Sequence, residues 1–287
     1  MPTGWSIVRT DRNAHRLELP FVSSGTWRIL LLADLHWDNA HCDLGLLRGH
    51  LDEAKAAGWP IMVFGDLFCA MQGRWDPRAS RDALREEHRD GSYLDLLVKT
   101  AVEWFKPYAG NLALISPGNH ETSIAKRHEV NLTERLVSGL NLCGGKVELG
   151  TYWGFVNLAC ARNAQVVTRT LHYHHGYGGG GPISRGLIDH SRTRSDYDAD
   201  IYVSGHIHRR NCDENVSTRL TSHGRVVLRE QLFLRCSTYK QEHTTGSGWH
   251  VEQGRAARPL GGWWLELAGN RRNQQRTLQI TLKAVPT

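Results

Sequence analysis

Apolar residues in this chain fall into short runs, and the residues that end each run carry most of the information. Trp27 to Ala33 (WRILLLA) predicts a buried strand whose C-terminal end delivers the following residues to a crevice. Asp43 to Gly58 repeats Leu44, Leu47, Leu51 and Ala54 at helical spacing and stops at a glycine, which predicts a helix. Pro60 to Phe64 (PIMVF) predicts a second buried strand, Leu94 to Tyr108 an amphipathic helix, and Asn111 to Ser116 (NLALIS) a third strand. Strand, helix, strand, helix, strand up to His120 indicates an α/β unit.

Between Cys69 and Tyr93 lies a polar insertion. Arg74, Arg78, Arg81, Arg85 and Arg89 are offset there by Asp76, Asp82, Glu86, Glu87 and Asp90. Charges that cancel in this way predict a solvated helix with paired side chains rather than a nucleic-acid patch. Beyond Lys146 the texture changes to short β-like runs: 154–159, 166–174, 201–204, 225–234, 263–267 and 277–282. Only 183–195 suggests another helix. The expectation is a single domain over 1–287, with a motif core at 27–210. Residues 211–287 would complete a second sheet packed on the first.

Composition changes this picture little. An apolar share of 40% and a charged share of 22% suit a globular chain that buries a large core. The N-terminus MPTGWSIVRT has no apolar core of a secretory signal, and no run approaches the roughly 20 residues of a membrane span. A soluble, cytoplasmic protein with no membrane partner is expected. The six cysteines form no CxxC pair, which argues against a zinc ribbon or a disulfide framework and predicts mostly buried thiols.

Charge matters more through its placement. Residues 1–204 carry 22 basic against 23 acidic side chains, whereas residues 205–287 carry 13 against 6. All of the net +6 lies in the last third, which predicts either a polyanion-binding face or a solvated arginine-rich sheet surface. Of the ten tryptophans, Trp263 and Trp264 are adjacent in a strand-like run. Alternation would place one in the core and leave the other partly exposed, where it could stack on a base, but core packing is the default for both.

The chemistry sits at the ends of the predicted strands. Asp34-Leu35-His36 follows the first, Gly65-Asp66 the second and Gly118-Asn119-His120-Glu121 the third. Leu171 to His175 (LHYHH) and Gly205-His206-Ile207-His208 repeat the pattern later. Carboxylate and imidazole together suit a divalent cation of borderline hardness. One such tripeptide is common by chance; five, each at a strand end, are not what a core or surface would produce.

The string DxH, GD, GNH[D/E], H, GHxH resembles the signature of the calcineurin-like metallophosphoesterase superfamily, over Asp34 to His208. The resemblance implies a four-layer α/β/β/α fold, two packed mixed β-sheets flanked by helices. It implies hydrolysis of phosphoesters by in-line attack of hydroxide held between two divalent cations, manganese first, with iron, zinc or nickel also admissible. Asp34, His36 and His208 would hold one cation, Asn119, His206 and a histidine of 172–175 the other, and Asp66 would bridge. His174 and His175 both remain open for that histidine. Aligning His-His-Gly with the His-His-Pro of relatives favours His174 as the metal ligand and leaves His175 to touch substrate. His120 would be the catalytic acid that protonates the leaving group. Relatives often carry Asp or Asn where this chain has Cys69, so another group must orient His120.

Gly178 to Gly181 could approach a phosphate with bare backbone or be a plain loop; no GK[ST] follows, so it is not a P-loop. Arg185 is a candidate phosphate contact. The GDLF block resembles the double-strand-break repair nucleases of the superfamily, and the overall texture its phage-type members. A phosphodiesterase or nuclease acting on DNA or RNA is therefore the leading expectation. A small-molecule phosphoesterase, with 69–93 as a lid, is the alternative, and a catalytically silent scaffold a distant third. A protein phosphatase is disfavoured because no DRG follows Asp66.

Overall fold

The structure is a computed structural model and describes residues 4–21, 25–71, 83–89, 92–179, 181, 186–244, 246, 249–252, 254, 256–270 and 279–287. Its first strands are β1 (Ser6–Asp11), β2 (Ala14–Pro20), β3 (Thr26–Leu32), β4 (Ile61–Phe64), β5 (Leu112–Ser116), β6 (Glu148–Leu149), β7 (Trp153–Arg162) and β8 (Gln165–His174). They continue as β9 (Ile201–Ser204), β10 (Asn211–Leu220), β11 (Val226–Arg235), β12 (Trp263–Asn270) and β13 (Gln279–Pro286). The helices are α1 (Leu44–Ala57), α2 (Tyr93–Phe105), α3 (Asn119–His128), α4 (Leu132–Leu142), α5 (Leu187–Asp196) and the single turn α6 (Trp249–Glu252).

Two mixed sheets result, one ordered β13-β12-β3-β4-β5-β6 and the other β1-β2-β7-β8-β9-β11-β10. The aliphatic runs lack alternation because their strands are buried on both faces. In β3, Ile29 and Leu31 enter the apolar layer between the sheets, with Leu17, Leu158, Leu171 and Tyr173 opposite. Leu30 and Leu32 point the other way, onto Leu47 and Leu51 of α1 and Leu97 and Phe105 of α2. On the outer face of the second sheet, His190 of α5 stacks on Phe233 of β11. α1 starts where the Asp43 carboxylate accepts the Leu46 N–H at 2.9 Å and stops at left-handed Gly58, φ 69°.

One expectation needs correction. Only β10 and β11 of the last third extend the second sheet; β12 inserts beside β3 and joins β13 to the first. Trp263 and Trp264 are consequently both buried, one in the layer between the sheets and one on the helix side, and neither is open to a base. Most of the helix expected in 69–93 lies outside the described residues, in 72–82 and 90–91; the described part holds a 3-10 turn, Glu86–His88. Buried Leu84 and His88, and Arg85 lying over the Trp37 ring at 5.2 Å, tie that stretch to the loop after β3. The strands β1, β2 and β10 and the helices α3 and α4 were not anticipated. β10 is exposed along most of its length and offers no apolar run to read.

Cys42, Cys69, Cys160 and Cys236 are buried free thiols, and Cys143 and Cys212 are exposed ones. No helix among the described residues is long and apolar enough to cross a membrane. The two-sided burial of β3 sets a stability test. Leu31→Ala and Leu30→Ala should each cost about 2–5 kcal/mol in denaturant unfolding. Leu228→Ala on β11, where the side chain is exposed, should stay within about 0.5 kcal/mol of the parent.

Candidate metal centre

β3, β4 and β5 run parallel, so their C-terminal ends open onto one edge of the first sheet. Beyond the strands, backbone bonds carry the pairing onward: Asp34 N–H to Gly65 O at 3.0 Å, and His36 N–H to Asp66 O at 3.0 Å. β8 and β9, also parallel, end at the same edge from the second sheet, and Gly205 N–H bonds to His175 O at 2.8 Å. Side chains separated by up to 174 positions in sequence thus meet where the two sheets open.

The backbone is bent hard to aim them. Asp34, His36, Asp66, His206 and His208 all have positive φ, between 46° and 71°. Each such left-handed residue costs of order 1 kcal/mol and persists only where its surroundings over-determine it. The preceding glycines serve close approach. A Cβ on Gly118 would lie 2.1 Å from Asp66 Oδ1, and one on Gly205 2.4 Å from Asp34 Oδ2. Gly65 alone of these three also turns through positive φ, 88°.

Three groups of candidate ligand atoms form among the described residues, the atoms of each within 4.8 Å of one another: Asp34, His36 and His208; Asp66, His175 and His206; and His36, Cys69 and His120. In the first, the His36 and His208 Nε2 atoms face each other at 3.0 Å, with Asp34 Oδ1 at 3.5 Å from His208 Nε2. Asp34 Oδ1 is buried with no hydrogen bond. In the second, Asn119 Oδ1 lies 3.0 Å from His175 Nε2 and 2.8 Å from His206 Nδ1. His175 Nδ1 donates to Phe64 O at 3.0 Å, which turns the Nε2 lone pair toward Asp66 Oδ2 at 3.2 Å and Asn119 Oδ1. Lone pairs of nitrogen and oxygen converging in a buried space need a proton or a cation between them. The mixed Asp, Asn and His donor set suits a divalent metal, so the residues present fit one.

The electrostatics agree. Burial would raise the Asp66 carboxyl, but the His175 and His120 imidazoles and the His175 hydrogen bond hold it well below the usual range. Burial would lower His175, yet Asp66 beside it lifts the imidazole to about 10, a proton standing where a cation would be accepted. Burial, then His120 and His208, push His36 well down.

His174 stands apart from the candidate groups. It ends β8 on the face shared with His172, its Nδ1 accepts the Gly176 N–H at 2.9 Å, and it belongs to none of the three groups. His175 stands in the second group, because it lies on the same side of the strand as the core residues Leu171 and Tyr173. That parity was present in the sequence. Arg185 lies outside the described residues. Gly178 and Gly179 have open space where a Cβ would stand, so neither is required by close packing.

His120 is oriented by a group no side-chain pattern reveals. Its Nδ1 donates to the backbone carbonyl of Cys69 at 2.5 Å, leaving Nε2 facing Asp66 Oδ2 at 3.8 Å. The Cys69 thiol itself accepts from Asn39 Nδ2, and burial followed by Asp38 pushes it up to about 12, so it stays neutral. Asp38 holds that carbonyl's loop by accepting from Cys69 N–H at 2.5 Å and Ala70 N–H at 2.9 Å. Glu121, whose role the sequence left undecided, is buried and accepts from the N–H groups of Gly118, Asp66 and Phe68 at 2.8, 3.1 and 2.8 Å. Burial, then Asp66, raises its carboxyl to about 8.

No protein-family model matches the chain, and no curated protein does. Solved structures with a similar arrangement include a predicted phosphoesterase from Streptococcus pneumoniae, 10% identical over 91% of this chain and 100% of that one, TM-score 0.31. Vps29 complexed with zinc from Entamoeba histolytica is 11% identical over 90% and 98%, TM-score 0.31. GAP50, the anchor in the inner membrane complex of Plasmodium, is 13% identical over 91% and 84%, TM-score 0.43. At these values the likenesses do not bear on function. The chemistry of the site rests on its own geometry.

Glu121 is the tie that can be tested without any ligand. Glu121→Ala should cost about 3 kcal/mol or more in denaturant unfolding, since three buried N–H groups lose their acceptor. Glu121→Gln, which keeps an acceptor oxygen, should cost clearly less.

Proposed function

We propose that this chain is a metal-dependent phosphoester hydrolase with a dinuclear centre. The observation that carries the proposal is the pair of adjoining candidate groups in which His36 and His208 nitrogens, and His175 nitrogen with Asp66 and Asn119 oxygens, converge within hydrogen-bonding distance in a buried space. Asp34, His36 and His208 would hold one divalent cation. Asn119, His175 and His206 would hold the second, with Asp66 reaching both. Such a pair, when bound, lowers the pKa of a shared water and neutralises charge on phosphoryl oxygens.

The protein's own groups do the rest. Asp34 and Asp66 supply fixed negative charge that burial keeps from being screened. The carbonyl of Phe64 fixes the His175 tautomer, and Glu121 holds the Asp66 backbone in its left-handed turn. His120, its Nδ1–H committed to Cys69 O, presents Nε2 as the nitrogen that carries a proton to the departing alkoxide. Its side chain is 13% exposed, which suits a proton donor within reach of a leaving group.

A phosphodiester of nucleic acid is the leading substrate. Support comes from the GDLF form of the second motif and from the basic last third. One observation favours a smaller nucleotide-type diester. Arg229 and Lys240 are paired with carboxylates, and Arg210 and Arg258 donate to backbone carbonyls, so these four are spent on the fold. Manganese is the preferred cation, with iron, zinc and nickel compatible with the same donors.

The deciding experiment strips the protein with a chelator and reloads each metal against single- and double-stranded DNA, cyclic nucleotides and an aryl phosphodiester. Activity should return only with metal, and Asp66→Asn should abolish it while leaving the circular dichroism spectrum intact. Affinity for a nucleic acid should fall steeply with salt, by a log–log slope of about −0.9 per phosphate contacted, and a small diester should respond far less. Equal activity of stripped and loaded protein would refute the proposal. His120→Ala should depress hydrolysis of alkyl or nucleotide esters about 10²-fold or more, and of p-nitrophenyl esters much less, because nitrophenolate departs without a proton. Equal losses on the two would remove His120 from the acid role.

A further inference from the structure

Beside the metal centre, under α5, lies a cavity of about 100 Å³ that the chemistry above does not use. The register of the second sheet builds its floor in two rows. His172, Tyr202 and Phe233 lie level across β8, β9 and β11, and His174, Ser204 and Arg235 form the next row toward the strand ends. The first row is aromatic: the Tyr202 and Phe233 rings stack at 4.4 Å and 2°. The second row is polar and precedes His175 and Gly205 in the chain, so the cavity borders the strand ends that lead into the candidate metal centre.

Its polar groups are only partly matched. The Arg235 side chain is 4% exposed; Nε donates to Ser204 Oγ at 3.1 Å and Nη2 to Asp189 Oδ2 at 3.3 Å, but Nη1 is buried without a hydrogen-bond partner. Both ring nitrogens of His172 and of His190 are also buried and unmatched. His174 Nδ1 accepts from Gly176 N–H, so its proton is on Nε2. Unmatched donors and unmatched acceptors therefore share one aromatic-walled space. Leaving a buried polar group bare costs about 1–3 kcal/mol, so such a space selects a ligand that carries both.

Charge decides which ligand. Arg235 is offset by Asp189, and Asp196 also lines the cavity. Burial, then the neighbouring His174, lowers His172 to about 3, and burial, then Arg235, lowers His190 to about 4, so both stay neutral. With two carboxylates against one guanidinium, a phosphate or sulfate would meet net negative charge. A neutral planar heterocycle meets no such penalty, and its edge presents donors and acceptors together. We infer that this cavity is a nucleobase subsite, in which Arg235 and the imidazoles read the edge of the base whose phosphoester lies at the metal centre. The inference rests on the phosphoester reading for its substrate, though base binding itself needs no metal.

The test has a binding arm and a kinetic arm. With chelator present, adenosine, guanosine, cytidine and thymidine are titrated into the protein by calorimetry. At least one should saturate, and Arg235→Lys and Thr193→Met should each weaken it tenfold or more. Thr193 lines the cavity, so the larger side chain fills it while the Arg235–Asp189 pair remains; melting temperatures confirm folding of both variants. With metal present, the p-nitrophenyl ester of the matching nucleoside 5′-phosphate should show a lower KM than bis(p-nitrophenyl) phosphate. Both variants should erase that advantage in KM while kcat changes little. A lower KM for a short strand of that base than for the mononucleotide ester assigns the base to a strand, and the reverse assigns it to a free nucleotide. Absence of binding by any nucleoside, or equal KM losses on the base-free diester, would overturn the subsite. Nucleoside binding that the variants lose, without hydrolysis of any ester by the parent protein, would uphold the subsite and refute the phosphoester reading.

Discussion

Asp66 is a carboxylate almost wholly removed from water, and most of the site follows from satisfying it. Burial of a bare carboxylate costs several kcal/mol unless charge and hydrogen bonds meet it where it sits. Here the His120 N–H takes Oδ1, the His175 ring faces Oδ2, and Glu121 pins the Asp66 backbone at positive φ. Gly118 has to be glycine because Asp66 fills the space a side chain would need. The carboxylate thus dictates the shape of the β4 and β5 loops, and through His175 it ties the second sheet to the first.

The same arrangement explains why strain is affordable at this edge. Five of the residues gathered there have left-handed backbones, and each is held by a neighbour from another strand. Apolar packing on both faces of β3, β4 and β5 supplies the rigidity against which those turns are bent. A preorganised set of donors is what electrostatic catalysis of phosphoryl transfer requires, since no reorganisation is then left for the reacting step. The cavity under α5 uses the opposite face of the second sheet, so one pair of strands, β8 and β9, would serve metal and base from its two sides.

How far the sequence could be read depended on whether the governing physics was local. Buried strands were legible as aliphatic runs, and α1 as a periodic segment with Asp43 and Gly58 at its ends. The gathering of carboxylate and imidazole at strand ends was legible because these residue types have few other reasons to follow an apolar run five times. β10 was not legible, since an exposed strand needs no apolar pattern, and the placement of β12 was not, since strand order is settled by non-local pairing. At the 172–175 run two cues competed: alternation from Leu171 and Tyr173 points to His175, and a motif alignment to His174.

By itself the sequence determined the fold class, the strand ends that carry the chemistry and the kinds of atoms offered there, because these follow from side-chain chemistry and short-range periodicity. Tertiary structure alone decided which histidine faces Asp66, that a backbone carbonyl rather than the Cys69 side chain orients His120, and that Trp263 and Trp264 are both covered. It also decided that Arg235, unremarkable in a basic stretch, lies buried in the wall of a polar cavity. Each of these depends on which strands become neighbours and in what register, and no stretch of chain encodes that on its own.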